Sequence, residues 1–337
     1  MIMMNFNSIK KIGAVLLSSV TAAMMFTGCD NSSSSDSKEA SGDKLSVVTT
    51  IFPEYDWTKE IAGGKADITM LLDNGVDLHS YQPSVDDIMK ISDCDVFVYV
   101  GGESDKWVDD ALKEATNKDM KVINLMEVLK DSVKEEEVKE GMQAEEEEEE
   151  GEEGEEEEVE YDEHVWLSLT NAQKLTTSIA DALCEADKDN ADTYKANLKA
   201  YNDKLAKLEG DYKAAVDSAK YKTLIFGDRF PFRYMTDDLG LDYFAAFVGC
   251  SAESEASFET ITFLANKADE LDVPAVMTIE SSDQKIAKSV NDSSKNKDRN
   301  ILTLDSMQAT TSKDVESGET YLKAMEKNLE VLKEALN

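Results

Sequence analysis

The sequence predicts an α/β protein of two lobes, each a parallel sheet flanked by helices, joined by one long rigid helix with a cleft between the lobes. Three observations predict it. Short apolar, β-branched runs alternate with helical patterns from Leu45 to Met126. The alternation resumes at Lys222 and continues to the C-terminal helix. Between the two series lies ADTYKANLKAYNDKLAKLEGDYKAAVDSA, where Tyr194, Leu198, Tyr201, Leu205, Leu208, Tyr212 and Val216 recur at helical spacing. Such a stretch is long for a globular helix and suits one that spans two lobes.

In chain order, LSVVTTIF reads as a strand from Leu45 to Phe52, with a helix starting near Pro53. ADITMLL is a second strand, broken by the turn residues DNG. SVDDIMKIS reads as a short helix, DVFVYVGG as a buried strand, KWVDDALKEA as a helix and KVINLM as a strand. HVWLSLTNAQKLTTSIADALCEA completes a first lobe over residues 44–188, and the linking helix occupies 189–219. A second lobe over 220–337 repeats the scheme: KTLIFG, LDYFAAF, VPAVMTIE and NILTLD as strands, RYMTDDLG, FETITFLANKADEL and SDQKIAKSVNDSS as helices, and a last helix from about Thr320. In parallel sheets of this kind ligands sit beyond the carboxyl ends of the strands.

The first 28 residues carry Lys10 and Lys11, an apolar run from Ile12 to Phe26, and Thr27-Gly28 before Cys29. This pattern predicts a secretory signal, and the small-small-Cys ending resembles the bacterial lipobox, which makes Cys29 the expected lipidation site. Residues 29–43, polar and Ser-rich, read as a flexible tether. A lipid-anchored location on the extracytoplasmic face of the cell membrane is therefore expected. Cys94, Cys184 and Cys250 show no paired spacing, so no disulfide framework is indicated.

The formal net charge is −36, from 71 acidic and 35 basic residues, and hydrophobic residues make up 41% of the chain, enough for a real core. Half of that charge lies between Glu135 and Glu163, where 19 acidic residues face Lys139 alone. A chain of this charge repels nucleic acid and anionic headgroups and favours cations. The segment 135–163 lacks hydrophobic periodicity and reads as a disordered, solvated insertion. It either raises the local cation concentration beside the cleft or serves as a solubilising spacer.

Two histidines are present in the whole chain, His79 in GVDLHSYQPS and His164 in DEHVWLS. If they meet in space they are candidates for one site. The stretch TTIFPEYDWTKEIAGGKADITMLLDNGVDLHSYQPSVDDIMKISDCDVFVYVGG, then HVWLSLTNAQKL, then LTLDSM with the helix from Tyr321 to Leu336, resembles in order the zinc/manganese substrate-binding lipoproteins of bacterial ABC importers. That resemblance implies a cation held between the lobes by four side chains. His79 and His164 transfer to two of the positions and Asp305 to another. At the remaining position the sequence reads IFGDRFPFRY, offering Asp228 or, with a one-residue shift, Arg229. Arginine has no acceptor and cannot ligate, so Asp228 is the candidate, with Glu280 and Cys250 in reserve.

Two imidazoles and two carboxylates suit zinc and also fit manganese or iron; zinc is the expectation, and four donors without an open position bind rather than catalyse. The resemblance further implies a cognate ABC permease driven by a separate ATPase, since no P-loop occurs in this chain, and a monomeric receptor. A zinc hydrolase needs a water position and a general base, and HExxH is absent. A surface adhesin or scaffold that uses the acidic segment is the alternative from a different class. Tyr81, Tyr161 and Trp166 near the histidines are read as cleft packing.

Overall fold

The computed structural model describes residues 44–143, 160–251 and 255–337. The predicted signal segment, Cys29 and the tether lie outside the described residues, as does the central part of the acidic insertion. Residues from Asp43 to Asn337 form one compact unit. Among the described residues no helix is long and apolar enough to cross a membrane.

The first lobe comprises β1 (Leu45–Thr49), α1 (Phe52–Ala62), β2 (Ala66–Met70), α2 (Val85–Asp93), β3 (Val96–Tyr99), α3 (Val108–Lys113), β4 (Lys121–Asn124), α4 (Leu125–Leu129) and α5 (Leu169–Ala186). The linking helix is α6 (Ala191–Ser218). The second lobe comprises β5 (Thr223–Phe230), α7 (Arg233–Leu239), β6 (Asp242–Val248), α8 (Phe258–Glu270), β7 (Ala275–Ile279), α9 (Lys285–Ser293), β8 (Asn300–Leu304), α10 (Ser312–Glu316) and α11 (Tyr321–Ala335). Every strand pairing within the two sheets is parallel. The strand orders are β2-β1-β3-β4 and β6-β5-β7-β8, the same arrangement twice. In each sheet the order reverses around the first strand, which opens a crevice at the carboxyl ends.

Helix α6 buries Tyr194, Tyr201, Leu205, Leu208, Tyr212 and Val216, while Leu198 is half-buried. At 1.5 Å per residue its 28 residues span roughly 42 Å, enough to reach from one lobe to the other. It is tied at both ends. Asn197 Nδ2 donates to the Ile61 carbonyl at 3.0 Å in the first lobe, and Tyr212 Oη donates to the Met325 carbonyl at 2.6 Å in the second. One contiguous core runs through both lobes, and a smaller one fills the space between the second sheet and α8 and α9.

Two expectations are corrected by the fold. KVINLM is a strand only as far as Asn124, because the Asn124 side chain accepts the Glu127 N–H at 3.0 Å and starts α4 there. The insertion predicted as disordered over 135–163 is folded at both of its ends. Glu135 bridges to Tyr161 in antiparallel fashion, Glu136 N–H donates to Glu160 O at 2.8 Å and Asp162 N–H to Lys134 O at 2.9 Å. Gln143 N–H reaches Ala246 O at 2.9 Å, and Lys139 pairs with Asp242 beneath the Tyr243 ring. Charge counting missed these anchors because a few backbone and lysine contacts are enough to seat a like-charged strand.

The carboxyls of Asp56 and Asp105 are pushed up to about 6 and about 7, in both cases mainly by burial. Asp305 is raised to about 6 by burial and by neighbouring Glu280. Folding therefore takes up protons at these groups, so their contribution to stability is greatest below the unfolded carboxylate range near pH 4 and is lost as pH rises through 6 to 7. Carboxylates held low, such as Asp87 and Asp187, where hydrogen bonds together outweigh burial, act the other way only below about pH 4. His79, which burial holds down to about 3, acts the other way as pH falls below about 6.5, so the metal-free chain in chelator is expected to melt about 2 °C or more higher at pH 6.5 than at pH 8 in scanning calorimetry. A midpoint that stays level or climbs over that range would count against these burial effects.

Candidate metal centre

His79 lies beyond the carboxyl end of β2, in a one-turn 3-10 helix spanning Leu78–Ser80. The turn forms there because Asp77 accepts the His79 N–H through Oδ1 at 3.1 Å while Leu78, 1% exposed, is driven into the core. His164 precedes a second such turn, Val165–Leu167, whose three side chains are fully buried and which leads into α5 through the Ser168 cap. The turn's burial carries the histidine with it, so His164 is itself inaccessible to solvent.

The two rings approach with their Nε2 atoms 3.2 Å apart. Each Nδ1 is engaged elsewhere. That of His79 is 2.8 Å from Ser104 Oγ and 3.6 Å from Glu163 Oε2, and that of His164 is 2.9 Å from Asp162 Oδ1. Asp162 accepts the backbone N–H of His164 with the same oxygen, at 2.9 Å, which fixes the imidazole orientation. An Nδ1–H directed at a buried carboxylate leaves the Nε2 lone pair free, the usual arrangement behind a metal-binding histidine. Two nitrogens sharing a tetrahedral ion at about 2.0–2.1 Å stand roughly 3.3 Å apart, so the observed gap is that of two donors aimed at one cation.

Burial, followed by the charge of His164, pushes His79 down to about 3, so its imidazole is neutral at any physiological pH. No proton need be displaced from it. Glu163 is raised by burial, and its Oε2 is buried without a hydrogen bond.

Cys250 is the third candidate donor. It follows Gly249 at the end of β6, and its sulfur and the two imidazoles place one donor atom each within 4.8 Å of one another. Its N–H donates to Glu136 Oε1 at 3.0 Å, so the folded base of the acidic insertion positions it. Burial raises the thiol well above its ordinary range, with Glu136, Asp162 and Glu163 adding to the effect. Only glycine fits before it, since a Cβ on Gly249 would lie 3.0 Å from the His164 ring and 2.9 Å from the Phe230 carbonyl. His79 and Cys250 face a cavity of about 240 Å³ that Ser104, Glu136, Glu160 and Glu163 also line, while His164 stands behind it, fully buried.

The carboxylates proposed from sequence stand elsewhere. Asp228 accepts the Arg229 N–H at 3.0 Å in a separate cavity of about 400 Å³ that also holds Asp77, Arg229 and Asp283. Asp305 and Glu280 flank the loop after β8. Glu280 accepts from Ser306 N–H and Ser306 Oγ, both at 2.8 Å, and from Gln308 N–H at 3.2 Å, while Asp305 accepts the Met307 N–H at 2.8 Å. That loop approaches the centre through Gln308, which stands beside His79. The structure thus groups His79 and His164 with the reserve Cys250, and places Asp228, Asp305 and Glu280 outside that set of three. The outer partners Ser104, Asp162 and Glu163 were not singled out in the sequence, although Asp162 and Glu163 sit directly before His164. Tyr81 packs on Trp107 and Trp166 on His164, with ring centroids 5.8 and 5.2 Å apart.

Comparison with known proteins gives a consistent pattern. The family model described as zinc-uptake complex component A, periplasmic, matches residues 47–335. The chain is 31% identical over 297 residues to the zinc-binding protein AdcA of Streptococcus pyogenes serotype M3, a match covering 86% of this chain and 56% of that protein. It therefore spans little more than half the length of that relative. It is 32% identical over 313 residues to the high-affinity zinc uptake system protein ZnuA of Bacillus subtilis, covering 93% and 94% of the two chains. Among solved structures, the Zn(II)-bound ZnuA-like domain of Streptococcus pneumoniae AdcA superposes with a TM-score of 0.67 at 29% identity, covering 87% and 99%. The laminin-binding protein Lmb of Streptococcus agalactiae, described as bifunctional in adhesion and metal transport, gives 0.70 at 26% identity, covering 87% and 100%.

Proposed function

This chain belongs to the zinc-uptake complex component A family, and from that premise we propose that it is a lipid-anchored receptor that captures zinc outside the cell membrane and delivers it to an ABC permease driven by a separate ATPase. The family is one of substrate-binding receptors, and the chain is not an enzyme. Anchoring is assigned to Cys29 and the working form to a monomer.

His79, His164 and Cys250 are the proposed donors, joined by Asp305 from the loop that reaches His79. Glu280 already has both oxygens bonded within that loop, which leaves Asp305 the more available carboxylate. Cys250 replaces Asp228 in the set. The observation that carries this reading is the pair of Nε2 atoms 3.2 Å apart, each with its Nδ1 held from behind. Zinc bound at Cys250 would displace the thiol proton that burial holds there, and a sulfur donor beside two imidazoles favours zinc over manganese because sulfur is a soft ligand.

The test is competition titration with a chromophoric chelator, on the parent chain and on Cys250→Ser, Asp305→Asn and Asp228→Ala. One zinc per chain is expected, with Cys250→Ser and Asp305→Asn each weakening affinity at least about 10-fold and Asp228→Ala leaving it within about 3-fold. Loss of zinc in Asp228→Ala with retention in Cys250→Ser would overturn the donor set. The likeness to Lmb supports adhesion as a second role, read by binding to an immobilised matrix protein that survives loss of both histidines.

A further inference from the structure

Arg229 is left without a role by the donor set, yet it stands across the cleft from His79 in the position where the sequence offered a donor. Strand β5 breaks its register between Phe226 and Arg229, and Gly227 is pressed so closely on α9 that a Cβ there would lie 2.5 Å from Ala287 Cα. This irregularity turns the arginine out of the second lobe, where its guanidinium pairs with Asp77 Oδ2 of the first. The other oxygen of the same carboxylate, Oδ1, accepts the His79 N–H at 3.1 Å. One carboxylate thus links the second lobe to the turn that carries a metal donor. A second tie acts on the same loop, since Ser312 N–H donates to the Asp73 carbonyl at 3.0 Å.

We propose that Arg229 is the positioning residue for His79: a cation built into the chain that straps the loop 73–81 to the second lobe before metal arrives. The proposal rests on His79 being a zinc donor. Arginine suits the task because it stays charged at every pH of interest and offers a planar fork to a carboxylate. The pair is partly desolvated, with side chains 12% and 24% exposed, so each charge depends on the other more than in an exposed ion pair. With the strap in place His79 is already oriented when zinc arrives. Without it, the loop keeps the Ser312 tie and the contacts of His79 with Ser104 and Gln308 but loses its ion pair to the second lobe, and His79 swings away from His164 more readily, which speeds metal loss.

Hydrogen exchange of the metal-free full chain and stopped-flow zinc dissociation, measured on Arg229→Ala, Arg229→Lys, Asp77→Asn and the double variant, test this. Arg229→Ala is expected to speed exchange of amides 73–81 at least about 10-fold while those of α6 are unchanged, and to raise the zinc dissociation rate about 10- to 100-fold. The association rate should change less than about 3-fold, and Arg229→Lys, which keeps the charge but not the fork, should fall between parent and alanine. The double variant should lose no more than Asp77→Asn alone, since the two side chains act through one another. Unchanged exchange at 73–81 in Arg229→Ala overturns the strap. Faster exchange with an unchanged zinc dissociation rate overturns the positioning role. If the parent chain binds no zinc but exchange still responds, the strap stands and the receptor reading fails.

Discussion

His164→Ala is expected to abolish tight zinc binding. Structural zinc sites in small domains carry about 10–16 kcal/mol over four ligands, which apportions roughly 3 kcal/mol or more to each donor, or at least about 100-fold in affinity. His164 stands to lose more than that average. Its replacement also leaves Asp162, 2% exposed, with a buried carboxylate whose ring partner is gone, and an uncompensated buried charge destabilises the site around it. His79→Ala is expected to weaken zinc comparably while disturbing the fold less, since its ring sits nearer the cavity and Ser104 and Glu163 keep each other through the Ser104 N–H at 2.8 Å. Competition titration and circular dichroism read the two effects separately. Retention of one tightly held zinc per chain by His164→Ala would sink the assignment of this centre.

Much of this architecture is legible in the sequence because it follows from period and burial. The repeated alternation of β-branched runs with helical patterns gives the two parallel sheets, and the tyrosine and leucine series from Tyr194 to Val216 gives the buried face of α6. Places beyond the strand ends follow from the parallel arrangement, and His79, Cys250 and Asp305 occupy them, while Arg229 lies in the last residues of β5. Which of those residues meet is set by tertiary details that no local pattern encodes. Cys250 reaches the histidines because the first residues of the acidic insertion fold back and Glu136 holds its backbone, a contact between residues 114 apart in sequence. Arg229 faces Asp77 because of a register break in β5 that a run such as IFGDRF does not announce. Asp228 is the candidate from sequence because the resemblance marks that stretch and arginine cannot ligate, and the structure stands it apart from the group of His79, His164 and Cys250.

Trp166→Ala carries the largest expected loss of stability. The ring is wholly buried beside His164, and its Nε1–H donates to the Ser306 carbonyl at 2.9 Å, in the loop that holds Asp305 and Gln308. Its own carbonyl accepts from Tyr321 Oη at 2.6 Å, and Tyr321 in turn packs edge-on against Trp57 and takes Asp56 as the acceptor for its N–H at 2.9 Å. Truncation therefore opens a cavity where the two lobes meet and strands a buried carbonyl at once. A core tryptophan reduced to alanine costs about 3–5 kcal/mol, which in a protein of this size lowers the melting temperature by roughly 10 °C. Trp166→Phe separates the two losses. It keeps most of the packing and removes the donor, so its cost should fall to about 1–3 kcal/mol. Zinc affinity should drop in both variants, because Ser306 is bonded to Glu280 and lies next to Asp305, and a loop released at Ser306 no longer holds the proposed donor Asp305 in a fixed position. Thermal melts with and without zinc decide between a general core residue and one that also supports the centre. If the zinc-induced rise in melting temperature is the same in Trp166→Phe as in the parent, the loop is held by other contacts and the tryptophan serves the core alone.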